Sequence, residues 1–357
     1  MSEQTFRDHL STVDEKGRRK WIYPKKPFGK LYNYRKYVSY VLLALLFAGP
    51  YITIGGHPLL LLNFFERKFV IFGNVFWPQD FQIFLLAILC FIAFILLFTV
   101  IFGRVWCGWT CPQTIFLEML FRRIEYWIEG DYNKQKKLDK QPWNQEKIFK
   151  RGGKHLIFII LSFVIGNTLM GYLVGKEELF RIISSPPTEH LKGFIAVVAF
   201  SGIFYFIYSY FREQICTIVC PYGRLQGVLL DKKSIVVAYD NVRGEQRAKN
   251  TRNRPDDAGD CIDCHQCVDV CPTGIDIRNG TQLECINCTA CIDACNYVME
   301  KVNKPKGLIR YASEENIESG KKFKFSPRIA VYSFVLTALL FTFSFLLIKR
   351  SPTETSI

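Results

Sequence analysis

Five apolar blocks, separated by polar and basic segments, limit the folds open to this chain of 357 residues. They occupy residues 38–54, 81–103, 155–175, 191–211 and 329–348. A helix needs roughly 20 apolar residues to cross the ~30 Å hydrocarbon core of a bilayer. A buried helix of a soluble core is the alternative for any single block, but five of them favour a membrane bundle. The first block is the weakest, because Pro50 and Gly55-Gly56 interrupt its far end.

Lysine and arginine are unevenly distributed among the connecting segments, and this sets the predicted orientation. Residues 1–37 hold 10 of them, residues 104–154 hold 11 and residues 212–328 hold 18. The alternate segments hold two each, at 55–79, 176–190 and 349–357. Because basic residues mark the cytoplasmic side of membrane spans, the N-terminus is predicted inside and the C-terminus outside. This topology accounts for the net charge of +14 without a nucleic-acid partner.

The cysteines after Asp260 form two runs with strict spacing. The first run follows the pattern C-x2-C-x2-C-x3-C-P, and the second repeats it with Asn296 where proline usually stands. This spacing is typical of bacterial two-cluster ferredoxins, in which the fourth cysteine of each run ligates the other cluster. Two [4Fe-4S] clusters are therefore predicted, one on Cys261, Cys264, Cys267 and Cys295, the other on Cys285, Cys288, Cys291 and Cys271.

Zinc is the alternative metal for these runs, but zinc sites usually combine two CxxC pairs. His265, inside the first run, is interpreted as a polar surface residue rather than a ligand. Thiolate clusters belong to reducing compartments, so no disulfide framework is expected and the domain is predicted on the cytoplasmic side. Two interlocked clusters make this domain an electron relay between a donor and an acceptor.

A second cysteine pattern, CxxxCP, occurs twice, after the second and the fourth apolar block. It reads Cys107-Gly-Trp-Thr-Cys111-Pro112 and Cys216-Thr-Ile-Val-Cys220-Pro221, which indicates an internal repeat. Residues four apart share a helix face, so each pair can present two sulfurs to one metal or form a switchable dithiol. Thiolates favour Cu(I) and iron–sulfur centres. We therefore predict a functional four-sulfur site on these four cysteines, suited to a soft ion such as Cu(I) or to an iron–sulfur centre; the alternative is packing at helix ends.

Other segments receive simpler interpretations. Residues 115–128 are predicted as an interfacial helix, since apolar residues alternate with Glu118, Arg122, Arg123 and Glu125. Residues 131–151 are predicted as a solvated basic loop. Cys90 is interpreted as a packing residue and His57 as a residue that does not ligate metal. Arg104 and Glu118 are candidates to tune thiol pKa or to contact a quinone headgroup.

These patterns predict an all-α membrane bundle of about five transmembrane helices, with an inserted cytoplasmic α+β dicluster ferredoxin-like domain. The predicted domains are a basic N-terminal segment (1–37), a four-helix membrane core with both CxxxCP motifs (38–220), the dicluster domain (221–328), the fifth span (329–348) and an outer tail (349–357).

Between residues 20 and 350 the chain resembles the cytochrome c oxidase accessory protein family, known as CcoG, FixG or RdxA. The resemblance rests on the order and spacing of several motifs. They are the basic N-terminus, Gly55-Gly56-His57-Pro58 leading to Phe69-Val-Ile-Phe-Gly73, Cys107-Gly-Trp-Thr-Cys111-Pro-Gln-Thr114, Cys216-Thr-Ile-Val-Cys220-Pro-Tyr-Gly-Arg-Leu-Gln226 and the two ferredoxin runs. Related membrane ferredoxins of the NapH and NosR type share the CxxxCP pairs and the clusters. The family usually continues into an outer β-sandwich domain, which is absent from this sequence.

The resemblance implies a bacterial inner-membrane protein that assists assembly of a cbb-type cytochrome c oxidase by reducing Cu(II) to Cu(I). Cys107, Cys111, Cys216 and Cys220 would then be catalytic, supplied with electrons by the eight cluster cysteines. The expected partners are membrane lipid, oxidase assembly factors or a copper transporter, an electron donor and a second copy of the chain. A quinol dehydrogenase of the NapH type and a non-enzymatic redox sensor or scaffold are the alternatives.

Overall fold

The computed structural model describes residues 11–14, 16–63, 68–71, 73–76, 81–249, 255–320 and 327–349. It divides into two compact units, each assembled from three stretches of chain. The first unit comprises Met1–Ala44, Phe102–Ile165 and Val198–Phe323, and the second comprises Leu45–Ile101, Gly166–Val197 and Lys324–Ile357. The domain boundaries given above stay a prediction.

Within the described residues, four helical segments are long and apolar enough to cross a bilayer. They lie in α2 (Phe81–Phe102), α7 (Gln145–Val174), α9 (Leu191–Phe206) with the π-helix Ile207–Phe211 that continues it, and α15 (Pro327–Lys349). They correspond to the second to fifth apolar blocks. On α15, Phe334 and Phe341 are each 75% exposed, which suits a helix surrounded by lipid.

The first apolar block does not form the single span predicted for residues 38–54. Its helix, α1, is Lys30–Ala48, and residues 53–54 instead form strand β1 (Thr53–Ile54), which pairs with β2 (His57–Pro58). Pro50 cannot donate the backbone hydrogen bond that would continue the helix. Gly55 and Gly56 then make the turn with φ of 61° and 82°. The count of five spans and their orientation stay a prediction.

The second unit also contains a small antiparallel meander that the all-α prediction missed. Its strands are β3 (Leu60–Asn63), β4 (Lys68–Ile71) and β5 (Asn74–Phe76), in that order. The short helix α8 (Lys176–Ser184) follows α7 after Gly175. Tyr172 donates its hydroxyl to the Leu46 carbonyl oxygen at 2.8 Å, which ties α7 to the end of α1.

In the first unit, residues 104–154 are almost wholly helical. The elements are α3 (Val105–Trp109), α4 (Pro112–Ile115), the π-helix Phe116–Phe121, α5 (Arg122–Ile128), α6 (Tyr132–Lys140) and the start of α7. The prediction of a loop at 131–151 is therefore wrong, whereas its predicted solvation agrees with the exposure of most of these residues. Asp131 caps α6 by accepting from the Tyr132 N–H. Lys147 is buried and donates to the carbonyl oxygens of Asp139 at 2.8 Å and Gln141 at 2.7 Å.

The segment after the fourth apolar block has the expected mixture of helix and strand. It comprises the π-helix Ile215–Val219, α10 (Pro221–Leu229), β6 (Val236–Tyr239), α11 (Asn241–Gly244), α12 (Gln266–Asp269), the 3-10 turn Ile277–Asn279, α13 (Ala290–Lys301), β7 (Ile309–Ala312) and α14 (Glu314–Ser319). Strands β6 and β7 pair antiparallel, with Val236 opposite Ala312 and Tyr239 opposite Ile309. They join the two ends of the segment around a buried core.

A further part of this core comes from the N-terminal strap, defined as residues 11–14 and 16–29. Ser11 donates its hydroxyl to the Thr273 carbonyl oxygen at 2.7 Å, and the Lys25 N–H donates to the Asp269 carbonyl oxygen at 2.7 Å. Gly274 contacts Ile22 so closely that a Cβ would meet its side chain. The basic N-terminal segment is thus packed against the cysteine-rich loops.

Candidate functional site

The eight ferredoxin cysteines line two neighbouring cavities. One cavity is lined by the first thiol set, Cys261, Cys264, Cys267 and Cys295. The other is lined by the second thiol set, Cys271, Cys285, Cys288 and Cys291, together with Cys267. The structure therefore brings the thiols together in the crossed arrangement that the spacing predicts, with one cysteine of each set taken from the other run.

The backbone of the two runs follows the same path. In each run the residues on either side of the second cysteine have left-handed φ: 50° and 55° at Asp263 and His265, and 53° and 68° at Asn287 and Thr289. Asp263, His265 and Asn287 are of the residue types most often found in this conformation, whereas the β-branched Thr289 adopts it rarely. The repeated turns wrap the chain tightly, so closely spaced thiols point to one centre. The fourth cysteines lie in other elements, Cys295 in α13 and Cys271 just after α12.

Thiol pKa values reflect the same grouping. Burial raises the pKa of Cys295 to about 12, with Cys264 and Cys261 adding to the effect. Burial likewise raises the pKa of Cys285 to about 12, and Cys271 and Cys288 contribute to it. Protonated thiols are thus favoured until a cation arrives, as expected of sites where metal binding drives deprotonation.

These residues fit iron–sulfur clusters. Each set supplies four sulfur donors, the number that one [4Fe-4S] cubane requires, in a cavity with largely apolar walls. A cubane held by four thiolates accepts and releases one electron at a time. Among the described residues, no three His, Cys, Asp or Glu side chains approach closely enough to hold a single metal ion, and this includes the ferredoxin thiols.

Each CxxxCP motif has the same local structure, which explains its spacing. Gly103 and Arg212, both four residues before the first cysteine, have φ of 58° and 52° and end the preceding candidate span. The second cysteine, Cys111 or Cys220, is the N-cap residue of α4 or α10. The proline that follows occupies N1, where a missing N–H costs nothing and φ suits the helix.

The four CxxxCP cysteines lie within electrostatic reach of one another in the first unit. Burial raises the pKa of Cys107 to about 11, and Cys111 and Cys220 raise it further. Burial also raises the pKa of Cys216 to about 12, with contributions from Cys111, Cys107 and Cys220. Each first cysteine is thus within electrostatic reach of the opposite motif. We call Cys107, Cys111, Cys216 and Cys220 the CxxxCP thiols.

Direct packing joins the first CxxxCP motif to the second ferredoxin run. A Cβ on Gly108 would overlap the Ile286 carbonyl oxygen and lie 3.1 Å from the Cys288 Cα. Cys107 and Cys288 belong to one buried apolar cluster, against which Cys291 also packs. Only glycine allows this approach, so the second thiol set lies beside the CxxxCP thiols, whereas the first set includes Cys264, which is exposed.

Two buried arginines lie at this junction. The Arg35 Nε donates to the Gly108 carbonyl oxygen at 2.6 Å. Arg104 donates to the Gln226 side chain and, at 2.7 Å, to the Gly223 carbonyl oxygen. Gln226 in turn donates to the Cys107 Sγ at 3.6 Å. Neither guanidinium forms an ion pair with a carboxylate of the described residues, so two positive charges face the thiols.

A buried ion-pair network lies next to the CxxxCP motifs. It was not predicted from the sequence. Arg122 contacts Glu118, Glu213 at 3.2 Å and the Pro272 carbonyl oxygen at 2.9 Å. A second group joins Arg212 to Glu125 at 2.5 Å and Lys154 to Glu129 at 2.8 Å. The predicted interfacial helix at 115–128 is helical, but its charged residues Glu118, Arg122 and Glu125 are buried and paired. The spacing of Glu118 and Arg122, four apart, was the available signal.

The remaining predicted residues lie elsewhere. His265 is exposed and contacts Arg278 and Asp263, in agreement with a surface residue. Cys90 is buried in α2. His57 lies in β2 of the second unit and is half-buried.

Comparison with known sequence families supports the iron–sulfur interpretation. A family described as a 4Fe-4S dicluster domain matches residues 211–314, which contain both ferredoxin runs and the second CxxxCP motif. A family described as a 4Fe-4S binding domain matches residues 83–135, which contain the first CxxxCP motif. No solved structure matched this chain.

Curated relatives match over most of the chain. The nitrogen fixation protein FixG of Rhizobium meliloti is 37% identical over 83% of this chain and 58% of its own length. RdxB of Cereibacter sphaeroides is 35% identical over 91% of this chain and 69% of its own length. RdxA of the same organism is 36% identical, and the match covers 83% of this chain and 64% of RdxA.

The thiol sets, the candidate spans and these matches define a membrane-bound iron–sulfur electron-transfer protein. More specifically, the chain belongs to the FixG, RdxA and RdxB family, which confirms the family resemblance stated from the sequence. The chain spans about 58% of FixG and 64% of RdxA, so what those proteins do as a whole is a matter for proposal.

Proposed function

We propose that this protein is a membrane electron relay whose path runs from the first thiol set, through the second, to the CxxxCP thiols. The observation that carries the proposal is the packing of Gly108 against Ile286 and Cys288. Electron transfer slows steeply with distance, so a glycine that removes one side-chain layer between two redox sites favours transfer between them. Cys107 and Cys288 belong to one buried apolar cluster, so apolar side chains surround this gap.

The direction of the path follows from exposure. Of the eight ferredoxin thiols, all of which are described, Cys264 alone is exposed. A soluble electron donor would therefore approach the first thiol set. We assign the CxxxCP thiols as the exit of the path, because they follow the ends of α2 and of the π-helix Ile207–Phe211.

The acceptor we propose is Cu(II), reduced by one electron to Cu(I) at the CxxxCP thiols. Soft thiolates favour Cu(I) over Cu(II), so they aid the product of this reaction. The proposed role is copper supply during assembly of a cbb-type cytochrome c oxidase, with oxidase assembly factors or a copper transporter as partners. Family membership and the donor chemistry support this role.

The proposed location is the bacterial inner membrane, with the N-terminus and the thiol sets on the cytoplasmic side. The concentration of Lys and Arg in residues 1–37, 104–154 and 212–328 supports this orientation. A reducing cytoplasm also keeps the thiolates available.

The test is steady-state reduction of Cu(II) by the purified, detergent-solubilised protein under anaerobic conditions, with a Cu(I) chelator as the readout. The double variant Cys107→Ser/Cys216→Ser should lose the activity while its two ferredoxin clusters remain. Cys90→Ser is the matched control, since Cys90 is buried in α2, and it should retain the wild-type rate. Full activity in the double variant would overturn the proposed exit. Turnover with a quinone but not with Cu(II) would replace copper reduction with a quinone-linked relay.

A further inference from the structure

We infer that two buried arginines, Arg35 and Arg104, give the electron relay its direction by raising the reduction potential of the centre on the second thiol set. This role rests on the proposed relay and adds to it the residues that order its potentials. In the step concerned, one electron leaves the centre on the first thiol set, which is oxidised, and reduces the centre on the second. No bond and no proton is exchanged.

Arg35 is held against the second ferredoxin run by the backbone of the first CxxxCP motif. It lies in the second turn of α1, is 1% exposed and donates from Nε to the Gly108 carbonyl oxygen at 2.6 Å. A Cβ on Gly108 would lie 3.1 Å from the Cys288 Cα. Among the charged groups that act on the Cys288 thiol, Arg35 has the largest effect. Glu118 acts in the opposite sense but more weakly, and it pairs with Arg122.

Arg104 lies beside the first residues of the same run. It follows Gly103, whose Cβ position is 3.0 Å from the Asn287 Nδ2, and it acts on the Cys285 thiol. Arg104 is 3% exposed and donates to the Gly223 carbonyl oxygen at 2.7 Å. A carbonyl oxygen carries no net charge, so it satisfies the donor without cancelling the positive charge.

Both guanidinium groups therefore keep an uncompensated charge. Neither forms an ion pair with a carboxylate of the described residues, and the buried Nη2 of Arg35 has no hydrogen-bond partner among them. Reduction of the centre on the second thiol set adds one negative charge next to these two positive charges. The arginines consequently stabilise the reduced form more than the oxidised form.

The arginine charges around the first thiol set are balanced instead. Arg278 acts on one thiol of this set, but it pairs with two carboxylates, Asp263 at 2.5 Å and Asp276 at 2.6 Å. Arg243 also acts on one of these thiols, and it pairs with Asp260 at 2.5 Å. The carboxylates offset the effect that each arginine would have on the potential of the first centre.

Burial alone would give the opposite order of potentials. An apolar environment disfavours the added negative charge, and no thiol of the second set is exposed, whereas Cys264 of the first set is. The two arginine charges act against this effect, and inside the protein they are screened only weakly. Their sum outweighs the difference in burial, so the electron passes from the first set to the second.

The test is a redox titration of the full-length, detergent-solubilised protein, with electron paramagnetic resonance as the readout. Cys264→Ala identifies the signal of the first set, because it removes one of that set's four ligands. We expect the second set to have the higher potential in the wild type. Arg35→Gln should make reduction of the second set about tenfold less favourable, a fall of about 59 mV for one electron. Arg35→Lys keeps the charge and should retain most of the wild-type potential.

Arg310→Gln is the matched control, because Arg310 is partly exposed and pairs with Asp240 at 2.6 Å. It should leave the potential of the second set at its wild-type value. A second-set potential below that of the first set in the wild type would contradict the assigned role. An equal fall in Arg35→Gln and Arg35→Lys would do the same, since it would indicate lost packing rather than lost charge.

If Arg35→Gln does not retain its centres, Arg104→Gln takes its place with the same expected fall, and an unchanged potential there would refute the inference. The wild-type order of potentials needs no variant at all. Copper is absent from the titration, so the result does not depend on whether Cu(II) is the acceptor. A failure of copper reduction with the expected order of potentials would therefore count against the proposed function alone.

Discussion

At the scale of single residues, Arg122 connects the parts of the candidate site. It is 1% exposed and contacts Glu118 in the turn before it, Glu213 ahead of the second CxxxCP motif, and the Pro272 carbonyl oxygen next to Cys271. Burial works to lower its pKa, but Glu118 and Glu213 raise it above the ordinary value, so the guanidinium is charged at any physiological pH. One side chain thus fixes the position of the ferredoxin loop relative to both motifs.

Replacing Arg122 should strongly reduce the stability of the protein. Arg122→Met leaves the buried Glu118 without a counter-charge and leaves Glu213 with Arg19 alone, 3.4 Å away, so we expect a loss of about 3–5 kcal/mol in the free energy of unfolding. Denaturant unfolding of the detergent-solubilised protein measures it. Lys150→Ala breaks the exposed pair with Glu146, 2.6 Å apart, and should change the stability by about 0.5 kcal/mol or less. Equal stability of the two variants would contradict the assigned role of Arg122.

The close approach at Gly108 gives a second prediction. Gly108→Ala places a methyl group against the Ile286 carbonyl oxygen, so the second ferredoxin run must shift. We expect about 1–3 kcal/mol of destabilisation and weaker retention of the cluster on the second thiol set. Gly152→Ala is the control, because a Cβ there meets nothing within 4 Å and alanine favours the helix by about 0.5–1 kcal/mol. Cluster absorbance measured after dilution compares how well the two variants retain the cluster. Equal retention in both variants would contradict the tight contact at Gly108.

Asp276 gives a pH-dependent prediction. Burial works to raise its pKa, but hydrogen bonds and charge from Arg278, at 2.6–2.8 Å, hold the pKa below the ordinary value. A carboxyl whose folded-state pKa is depressed contributes stability above its unfolded pKa of about 3.9 and loses it as pH falls through the folded pKa. Asp276→Asn should therefore be less stable than wild type at pH 7, and the gap should narrow below about pH 4. A gap independent of pH, measured by unfolding between pH 3 and pH 7, would contradict this.

At the scale of elements, the cysteine-bearing helix α13 anchors the start of α1. The Asp293 carboxylate, between Cys291 and Cys295, accepts from the backbone N–H groups of Leu31 at 3.3 Å and Tyr32 at 2.8 Å. These are among the N–H groups that lack partners within the first turn of a helix. A distant side chain thus caps α1, and the negative charge also suits the helix N-terminus.

Removing this cap should loosen α1 selectively. We expect Asp293→Ala to cost about 1 kcal/mol and to speed hydrogen exchange at the Leu31 and Tyr32 amides. Asp293→Asn keeps an acceptor oxygen and should retain most of the protection, which makes it the matched control. Hydrogen exchange measured by mass spectrometry compares the protection of the two amides in these variants. Unchanged exchange in the alanine variant would mean that the strap, not the cap, holds the first turn.

The candidate spans and the grouping of the ferredoxin thiols were predictable from the sequence. Four candidate spans follow from the length and uniform apolarity of their blocks, and the grouping of thiols follows from run spacing, because local geometry determines both. The α1 boundary was missed because Pro50 ends the helix before the apolar block ends. The lysine-rich stretch at 131–151 was interpreted as a loop, although buried Gln135 and Leu138 lie on one face of α6.

Long-range pairing was not predictable in the same way. The ion pair of Arg122 with Glu213 spans 91 residues of sequence, and a single charged residue does not specify so distant a partner. The N-terminal strap is likewise held by hydrogen bonds to residues more than 200 positions away, such as that from Ser11 to Thr273. The strap has the polar composition of a solvent-exposed segment. Every residue carries the backbone groups through which the strap is buried, so no pattern in the sequence indicates this burial.

At the scale of the whole molecule, the proposed function is electron flow from an exposed thiol set to the CxxxCP thiols. Both ends of this proposed path lie in segments that match 4Fe-4S families, residues 211–314 and 83–135. The most direct test is anaerobic stopped-flow mixing of the reduced, detergent-solubilised protein with Cu(II). Cluster absorbance and a Cu(I) chelator are followed in the same experiment.

We predict that the clusters are oxidised as Cu(I) appears, with one Cu(I) formed for each electron lost, and that Cys107→Ser/Cys216→Ser abolishes both signals. Clusters that remain reduced in the presence of Cu(II), but are promptly reoxidised by a quinone, would contradict copper as the acceptor.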